Sequence, residues 1–221
     1  MDKLEIIKRL KEYNKDVKHL YIDELINELY TDVQKETYIK GTGDRGKLNA
    51  IKRVISNKKN DYRPTLQTFS LLDNHVVFTD SYQAYYLNDS YLPNFKIAYN
   101  DSNKEDVKRV AEQNDIEIFD CGVYPTIDWI FNRCKDTSLD YKYININTKD
   151  LLLEIKTAPE DLITFNDGDD NKITISTKLL KNAIDILKLK GDITIKYTSE
   201  IEPSYIENNG EIACLLPVKT Y

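Results

Sequence analysis

Hydrophobic positions in the last fifth of the chain, 171–221, change their period in a readable order. Ile173 and Ile175 alternate with polar residues, which predicts a strand with one buried face. The spacing then widens. Leu179, Leu180, Ala183, Ile184 and Leu187 fall on one side of a helix, with Lys178, Lys181, Asp185 and Lys188 on the other. Thr177 is placed to cap this helix, and Gly191 stands where it would end. Alternation returns at Ile193, Ile195 and Tyr197, and two shorter runs, 205–207 and 212–216, flank an Asn208-Asn209-Gly210 turn. The predicted order is strand, helix, three antiparallel strands.

A related pattern occurs earlier. Leu48, Ile51, Val54 and Ile55 share one helix face, with Asn49, Lys52, Arg53 and Ser56 opposite. The runs TLQTFSLL, HVVFTD and QAYYLN, split by Asp73-Asn74 and Ser81-Tyr82, predict a three-stranded meander. A helix followed by three strands thus appears twice, with no evident sequence identity between the two copies. Between them lie a short predicted strand (FKIAY), a helix over 104–113, IEIFD, a strand YININ, a helix from Thr148 to Lys156, and LITF. Trp129, in the apolar run TIDWIFNRC, is expected to pack in the core. Residues 2–40 read as helical, with Leu4, Ile7, Leu10 and Tyr13 on one face and Leu20, Leu25, Ile26, Leu29 and Tyr30 following. Such a pair of helices suits either a hairpin packed on the main body or an arm that docks a partner.

Three segments carry a family resemblance. The helix at 179–187 and the ending Leu215-Leu216-Pro217-Val218-Lys219 resemble the "LLxxAxxxL" and "LLPVK" elements that close DNA sliding clamps of the polymerase III beta-subunit family. The run from Asn74 to Gln83 is similar to the clamp strand leading into "ATDGHRL", with Ser81 where glycine is usual. Gly122-Val123-Tyr124-Pro125-Thr126-Ile127 is similar to "G-[KR]-[FY]-P-[DN]-[YF]", departing at Thr126 and Ile127. The three occur in the family's order. The resemblance implies an α+β fold of antiparallel sheets with helices on one face, preceded by a helical segment. The expected divisions are 1–44 (helical), 45–135 (first clamp-like unit) and 136–221 (second).

Length bears on how such a chain would assemble. Bacterial clamps resemble a three-domain chain closed as a dimer, and 221 residues is far shorter. That length suits a two-domain chain closing as a homotrimer, or a reduced clamp-like domain that does not close. The formal net charge of −6 excludes indiscriminate nucleic-acid binding but not a local basic track. Three cysteines without paired spacing suggest reduced thiols, and no apolar run is long enough to span a bilayer. A cytoplasmic protein without membrane contact is expected. The wealth of Lys, Asn, Ile and Tyr fits AT-rich coding, as in a low-GC bacterium or its phage.

Candidate chemistry is sparse. Gly41-Thr42-Gly43-Asp44-Arg45-Gly46-Lys47 fits both GxGxxG and GxxxxGK, but residues 34–40 make a poor buried strand before it. Leu48 also stands where a phosphate loop needs Ser or Thr, so the segment reads as a loop between units, with a nucleotide-binding enzyme as the alternative. His19 and His75 lie in different predicted elements and nothing local pairs them with a cysteine. Asp167-Gly168-Asp169-Asp170-Asn171 misplaces the glycine and terminal glutamate of a calcium loop. No catalytic residue, metal or cofactor is predicted.

The clamp resemblance gives two binding sites instead. Lys52, Arg53, Lys178, Lys181 and Lys188 would contact the phosphates of duplex DNA without reading sequence. A lysine-bearing face is also what an ordinary solvated helix presents, and Asp185 interrupts this one. Cys214, Leu216, Pro217 and Val218 map onto the family's apolar pocket for peptides of polymerases and other replication proteins. A buried edge strand would present the same residues. The expected function is a non-enzymatic polymerase processivity factor, the alternative a clamp-fold adaptor or decoy that does not encircle DNA.

Overall fold

The computed structural model describes residues 3–17, 20–34, 44–57, 61–166 and 172–219. In chain order it contains helices α1 (Lys3–Val17), α2 (Leu20–Gln34) and α3 (Asp44–Ile55), then strands β1 (Ser70–Leu72), β2 (His75–Thr79) and β3 (Gln83–Leu87). Helices α4 (Lys104–Asn114) and α5 (Asp128–Lys135) follow, then β4 (Lys142–Asn147), α6 (Thr148–Thr157) and β5 (Leu162–Asn166). The closing run is β6 (Lys172–Ser176), α7 (Thr177–Ile186), β7 (Asp192–Tyr197), β8 (Ser204–Asn208) and β9 (Glu211–Leu215). The predicted helix-and-three-strands pattern is present twice, as α3–β3 and as α7–β9.

Those two meanders join edge to edge. Strand β3 pairs antiparallel with β9, Gln83 opposite Leu215 and Tyr86 opposite Ile212, giving one seven-stranded sheet in the order β1-β2-β3-β9-β8-β7-β4. Strands β5 and β6 form a separate two-stranded sheet. Side-chain alternation divides the large sheet into two buried faces. One face presents Val76, Phe78, Tyr85, Leu87, Ile195 and Leu215 to Ile51, Val54, Leu180 and Ile184 of α3 and α7. The other presents Val77, Ala84, Tyr86, Tyr205 and Cys214, covered by Tyr124, Ile127 and α5. The helical layer on the first face is the arrangement expected of the α+β fold; α5 is a further cover on the second.

Turn chemistry sets the registers. Asp73 and Asn74 both have positive φ, as do Asn209 and Gly210, so each pair makes a two-residue hairpin turn whose twist matches its strands. The α7 helix ends differently from expectation. Lys188, not Gly191, takes the left-handed position (φ 52°), and the Leu189 N–H reaches back to the Ile184 carbonyl at 3.0 Å. At the other end Ser176 holds the cap position and Thr177 lies inside the helix, buried. TLQT forms a 3-10 turn (Pro64–Gln67) because Pro64 fixes a helical φ at its start. FKIAY and IEIFD make only isolated bridges, Phe69 to Ile97 and Ile97 to Ile118.

Helices α1 and α2 pack on α6 through Ile7, Ile26 and Leu153, and Lys11 bonds Glu154 at 2.7 Å. This hairpin arrangement is the first of the two N-terminal readings; Tyr13, expected inward, is exposed. Residues 18–19 and 35–43 lie outside the described residues, as does the Asp167–Asn171 run. No helix among the described residues is long and apolar enough to cross a membrane.

Ser81 sits between β2 and β3 at φ 75°, a region where a β-carbon is strained by roughly 1–2 kcal/mol. Glycine there relieves the strain but enlarges the entropy of the unfolded chain. Ser81→Gly is therefore expected to stabilise the protein by about 0.5–1 kcal/mol, a rise of roughly 1–4 °C in Tm. Thermal unfolding followed by circular dichroism checks it; a lower Tm would mean that contacts of the Ser81 hydroxyl outweigh the strain.

Candidate functional site

An apolar groove of about 610 Å³ opens on the second face of the sheet. Its floor is Ala84 and Cys214, brought side by side by the β3–β9 register. One wall is the segment 62–66, the other the segment 121–130, and Leu216 and Tyr82 stand at one end. The walls come close. A β-carbon on Gly122 would meet the Thr65 methyl at 2.8 Å, so glycine is what lets the segments approach. Ten large hydrophobic side chains are exposed among the described residues, and five of them line this groove. They are Tyr62 (96%), Trp129 (59%), Val123 (56%), Tyr82 (50%) and Leu216 (37%). Exposed apolar side chains gathered in one concavity mark a binding surface rather than scatter.

Trp129 is thus a groove residue and not the core residue expected. The reason is the helical stripe. Ile127, Phe131 and Cys134 point into the sheet at i, i+4 and i+7, and Trp129 falls off that stripe. Reading the periodicity of TIDWIFNRC strictly would have found it. Tyr62 and Pro64 carry no comparable signal in the sequence.

The four predicted groove residues divide between two adjoining hollows. Cys214 is buried in the floor of the first, and Leu216 borders both. Pro217 and Val218 line the second, of about 440 Å³, with Tyr82, Lys178 and Leu179. Two backbone bonds hold this tail, Leu216 N–H to the Tyr82 carbonyl (2.9 Å) and Val218 N–H to the Thr174 carbonyl (2.7 Å).

The predicted cations lie on the helical layer, where α3 packs against α7. Lys52 and Lys178 are exposed. Arg53 and Lys181 converge on Asp185, Arg53 Nη2 donating to Oδ2 at 2.8 Å and Lys181 Nζ to Oδ1 at 2.5 Å. Asp185 is itself buried, so the two cations are held and half-neutralised. Lys188 does not share the helical face of Lys178 and Lys181, because it lies past the helix end in the left-handed conformation.

A hydrogen-bonded chain connects this layer to the groove. Arg53 Nε donates to Asn182 (3.2 Å), Asn182 to Gln83 Oε1 (3.3 Å), and Gln83 Nε2 to Asp80 (2.8 Å). Asp80 Oδ1 accepts the Tyr82 and Gln83 N–H groups, at 3.0 and 3.1 Å, and fixes the loop at the groove's end. Tyr85 donates to Gln83 at 2.8 Å, and burial, then Asp80, push its phenol well above its ordinary pKa.

The glycine-rich loop gains no support as a phosphate cradle. Its residues 41–43 lie outside the described residues, and Lys47 pairs with Asp89 (2.8 Å) and Glu211 (2.9 Å). Burial opposes the charge on Lys47, but those two bonds outweigh it and raise the pKa. They tie α3 to the ends of β3 and β9. His75 opens β2 and stacks on Tyr86 at 4.8 Å, a strand residue as expected.

Comparison with family models finds no match, and no curated protein matches. Solved structures do. A crystal structure from Eubacterium rectale, assigned as a DNA polymerase III beta subunit, superposes with a TM-score of 0.51 at 16% identity. The match covers 78% of this chain and 63% of that one, so the chain spans less than two thirds of its length. The DNA polymerase III subunit beta of Borrelia burgdorferi, solved with a natural product, gives 0.50 at 14% identity over 87% and 67%. Identity this low shows the fold alone. The chain has a sliding-clamp-like α+β fold.

The cysteines offer a check on this geometry. Cys121 is exposed at the groove, whereas burial, then Cys134, push the Cys214 thiol up to about 12. Burial and Glu207 likewise push Cys134 up to about 12. Only the thiolate reacts, so iodoacetamide at pH 8 is expected to modify Cys121 alone in the folded chain. Intact mass should show one adduct, and three after denaturation; a second adduct on folded protein would contradict the buried floor.

Proposed function

We propose that the protein is a non-enzymatic clamp that closes with copies of itself around duplex DNA and holds a DNA polymerase or another replication protein in its groove. The groove carries this reading. In a clamp-like fold, five exposed hydrophobic side chains gather on the sheet face opposite the cation-bearing helices. A tether needs that separation, one face for the duplex and the other for the partner, with Lys178, which also lines the second hollow, at the border between them. Anchor side chains of an extended peptide would enter beside Trp129 and Leu216, with Cys214 beneath and Pro217 and Val218 along the second hollow. Lys52, Arg53, Lys178, Lys181 and Lys188 would meet phosphates, releasing counterions and leaving the ring free to slide. The segments 45–135 and 136–221 would be its two clamp-like units, and the length favours a homotrimer in the cytoplasm.

A second reading keeps the groove without the ring. Asp185 engages Arg53 and Lys181, and the formal net charge is −6, which favours an adaptor or decoy for replication proteins. Retention on DNA separates the two. The clamp reading predicts a stable trimer by light scattering and retention on nicked circular duplex that is lost on linearisation. Lys178→Glu with Lys181→Glu should reduce retention at least tenfold. Because Lys181 pairs with the buried Asp185, Lys178→Glu alone, expected to reduce retention severalfold with little change in Tm, is the control for folding. A strict monomer without retention leaves the adaptor.

Groove occupancy has its own reporter, because Trp129 is the sole tryptophan. Peptides with hydrophobic anchors taken from a replicative polymerase are expected to shift its emission to the blue. Trp129→Ala should weaken their binding by about 2 kcal/mol, roughly thirtyfold. Followed by a labelled peptide, unchanged affinity in that variant would remove the groove assignment.

A further inference from the structure

A second cleft, adjoining the groove at Pro64, lies alongside α3. It encloses about 660 Å³, within the roughly 300–1,000 Å³ of ligand-binding pockets. One wall is a single stripe of α3, Arg45, Asn49, Lys52 and Ser56, at i, i+4, i+7 and i+11. Across from it stand Gln67, Asn94 and Lys96, and Phe95 and Phe119 contribute half-buried aromatic surface.

The charges of this cleft are distinctive. Lys47 and Arg53, on other faces of the same helix, are bound to carboxylates. Arg45 and Lys52 have no hydrogen-bond or ion-pair partner among the described residues, although both are exposed in the cleft. The lining contains no Asp or Glu. Lys96 does pair with a carboxylate, that of Glu117. An acidic protein that leaves two cations unanswered over an amide-lined, aromatic-backed cleft presents a site for an anion bearing a planar ring.

We propose that this cleft binds a single strand of nucleic acid. Arg45 and Lys52 lie about two helical turns apart, roughly 10.5 Å along the axis, a span that two long, flexible side chains can close onto phosphates one or two nucleotides apart. The amides of Asn49 and Asn94 offer donors and acceptors to sugar and base edges, and Gln67, whose Nε2 donates to Asp61 at 3.0 Å, offers its carbonyl. Phe95 and Phe119 supply the apolar surface on which single-strand sites seat their bases. The stripe is continuous with the helical layer through Lys52, but the cleft needs no ring, so it serves equally in a clamp or an adaptor. It goes beyond the proposed function, which concerns duplex DNA and a protein partner.

The test is fluorescence anisotropy of the full chain with a labelled 20-residue oligothymidylate, titrated at several salt concentrations. Binding is expected, with log K falling against log salt by about 0.7 per phosphate neutralised. Arg45→Ala with Lys52→Ala should weaken it at least tenfold and flatten the slope by between one and two such increments. Asn49→Glu, which sets a carboxylate between the two cations on an exposed position, should do as much without touching the core. Lys178→Glu with Lys181→Glu should change it less than twofold. Strand binding that survives a failure of retention on circular duplex would sink the ring and keep the cleft. Absence of strand binding, or equal loss in the Lys178 and Lys181 variant, would overturn the cleft.

Discussion

The pairing of β3 with β9 is the constraint on which the molecule depends. It joins segments well over a hundred residues apart in sequence, and most consequential features follow from its register. Setting Ala84 beside Cys214 makes the floor of the apolar groove. Setting Tyr85 beside Ala213 turns the opposite residues toward α3 and α7 and brings those helices into contact. A one-residue slip would send the floor residues to the helical face and expose the core of the first meander. The Lys47 ion pairs act as a clasp on this register, since one ammonium binds Asp89, two residues past β3, and Glu211, the first residue of β9.

Polar groups inside the molecule follow the same seam. Asp80, Gln83, Asn182 and Asp185 are all nearly excluded from water, a costly placement unless each finds partners. They find them in one another, in backbone N–H groups and in Arg53 and Lys181, forming a chain from the loop at the groove's end to the helical layer. Such a chain specifies geometry more than it stabilises, because every member left unpaired would carry a full desolvation cost. It also explains why the helical cations are not equivalent. Arg53 and Lys181 are structural as well as surface groups, whereas Lys52 and Lys178 are exposed and have no ion pair among the described residues.

Sequence and structure agree most where local rules decide. The alternation of Ile193, Ile195 and Tyr197, the stripes of α3 and α7, and the Asn209-Gly210 turn each reflect one element's own periodicity or backbone preference, and each is found as expected. The three clamp-like motifs likewise converge, since the loop after β2, the Gly122 segment and the tail after β9 all border the groove. Disagreements cluster where tertiary contacts choose among locally equivalent options. Ser176 rather than Thr177 holds the cap position, and Lys188 rather than Gly191 takes the left-handed residue, because packing of Leu187 and Leu189 fixes where the helix must stop. Trp129 faces solvent because α5 spends its apolar stripe on Phe131 and Cys134.

What the sequence determined by itself is the list of parts: two helix-and-three-strand units, a helical N-terminus and a clamp-like tail. Periodicity and turn residues act over a few positions, so one chain suffices to read them. Only the tertiary structure decided that the two meanders share one sheet, that Tyr62 and Trp129 meet across a groove, and that Asp185 claims two of the predicted cations. It also decided that Arg45 and Lys52 line a cleft without an ion-pair partner among the described residues. Those outcomes depend on contacts between residues far apart in sequence, whose pairing energies no local pattern encodes.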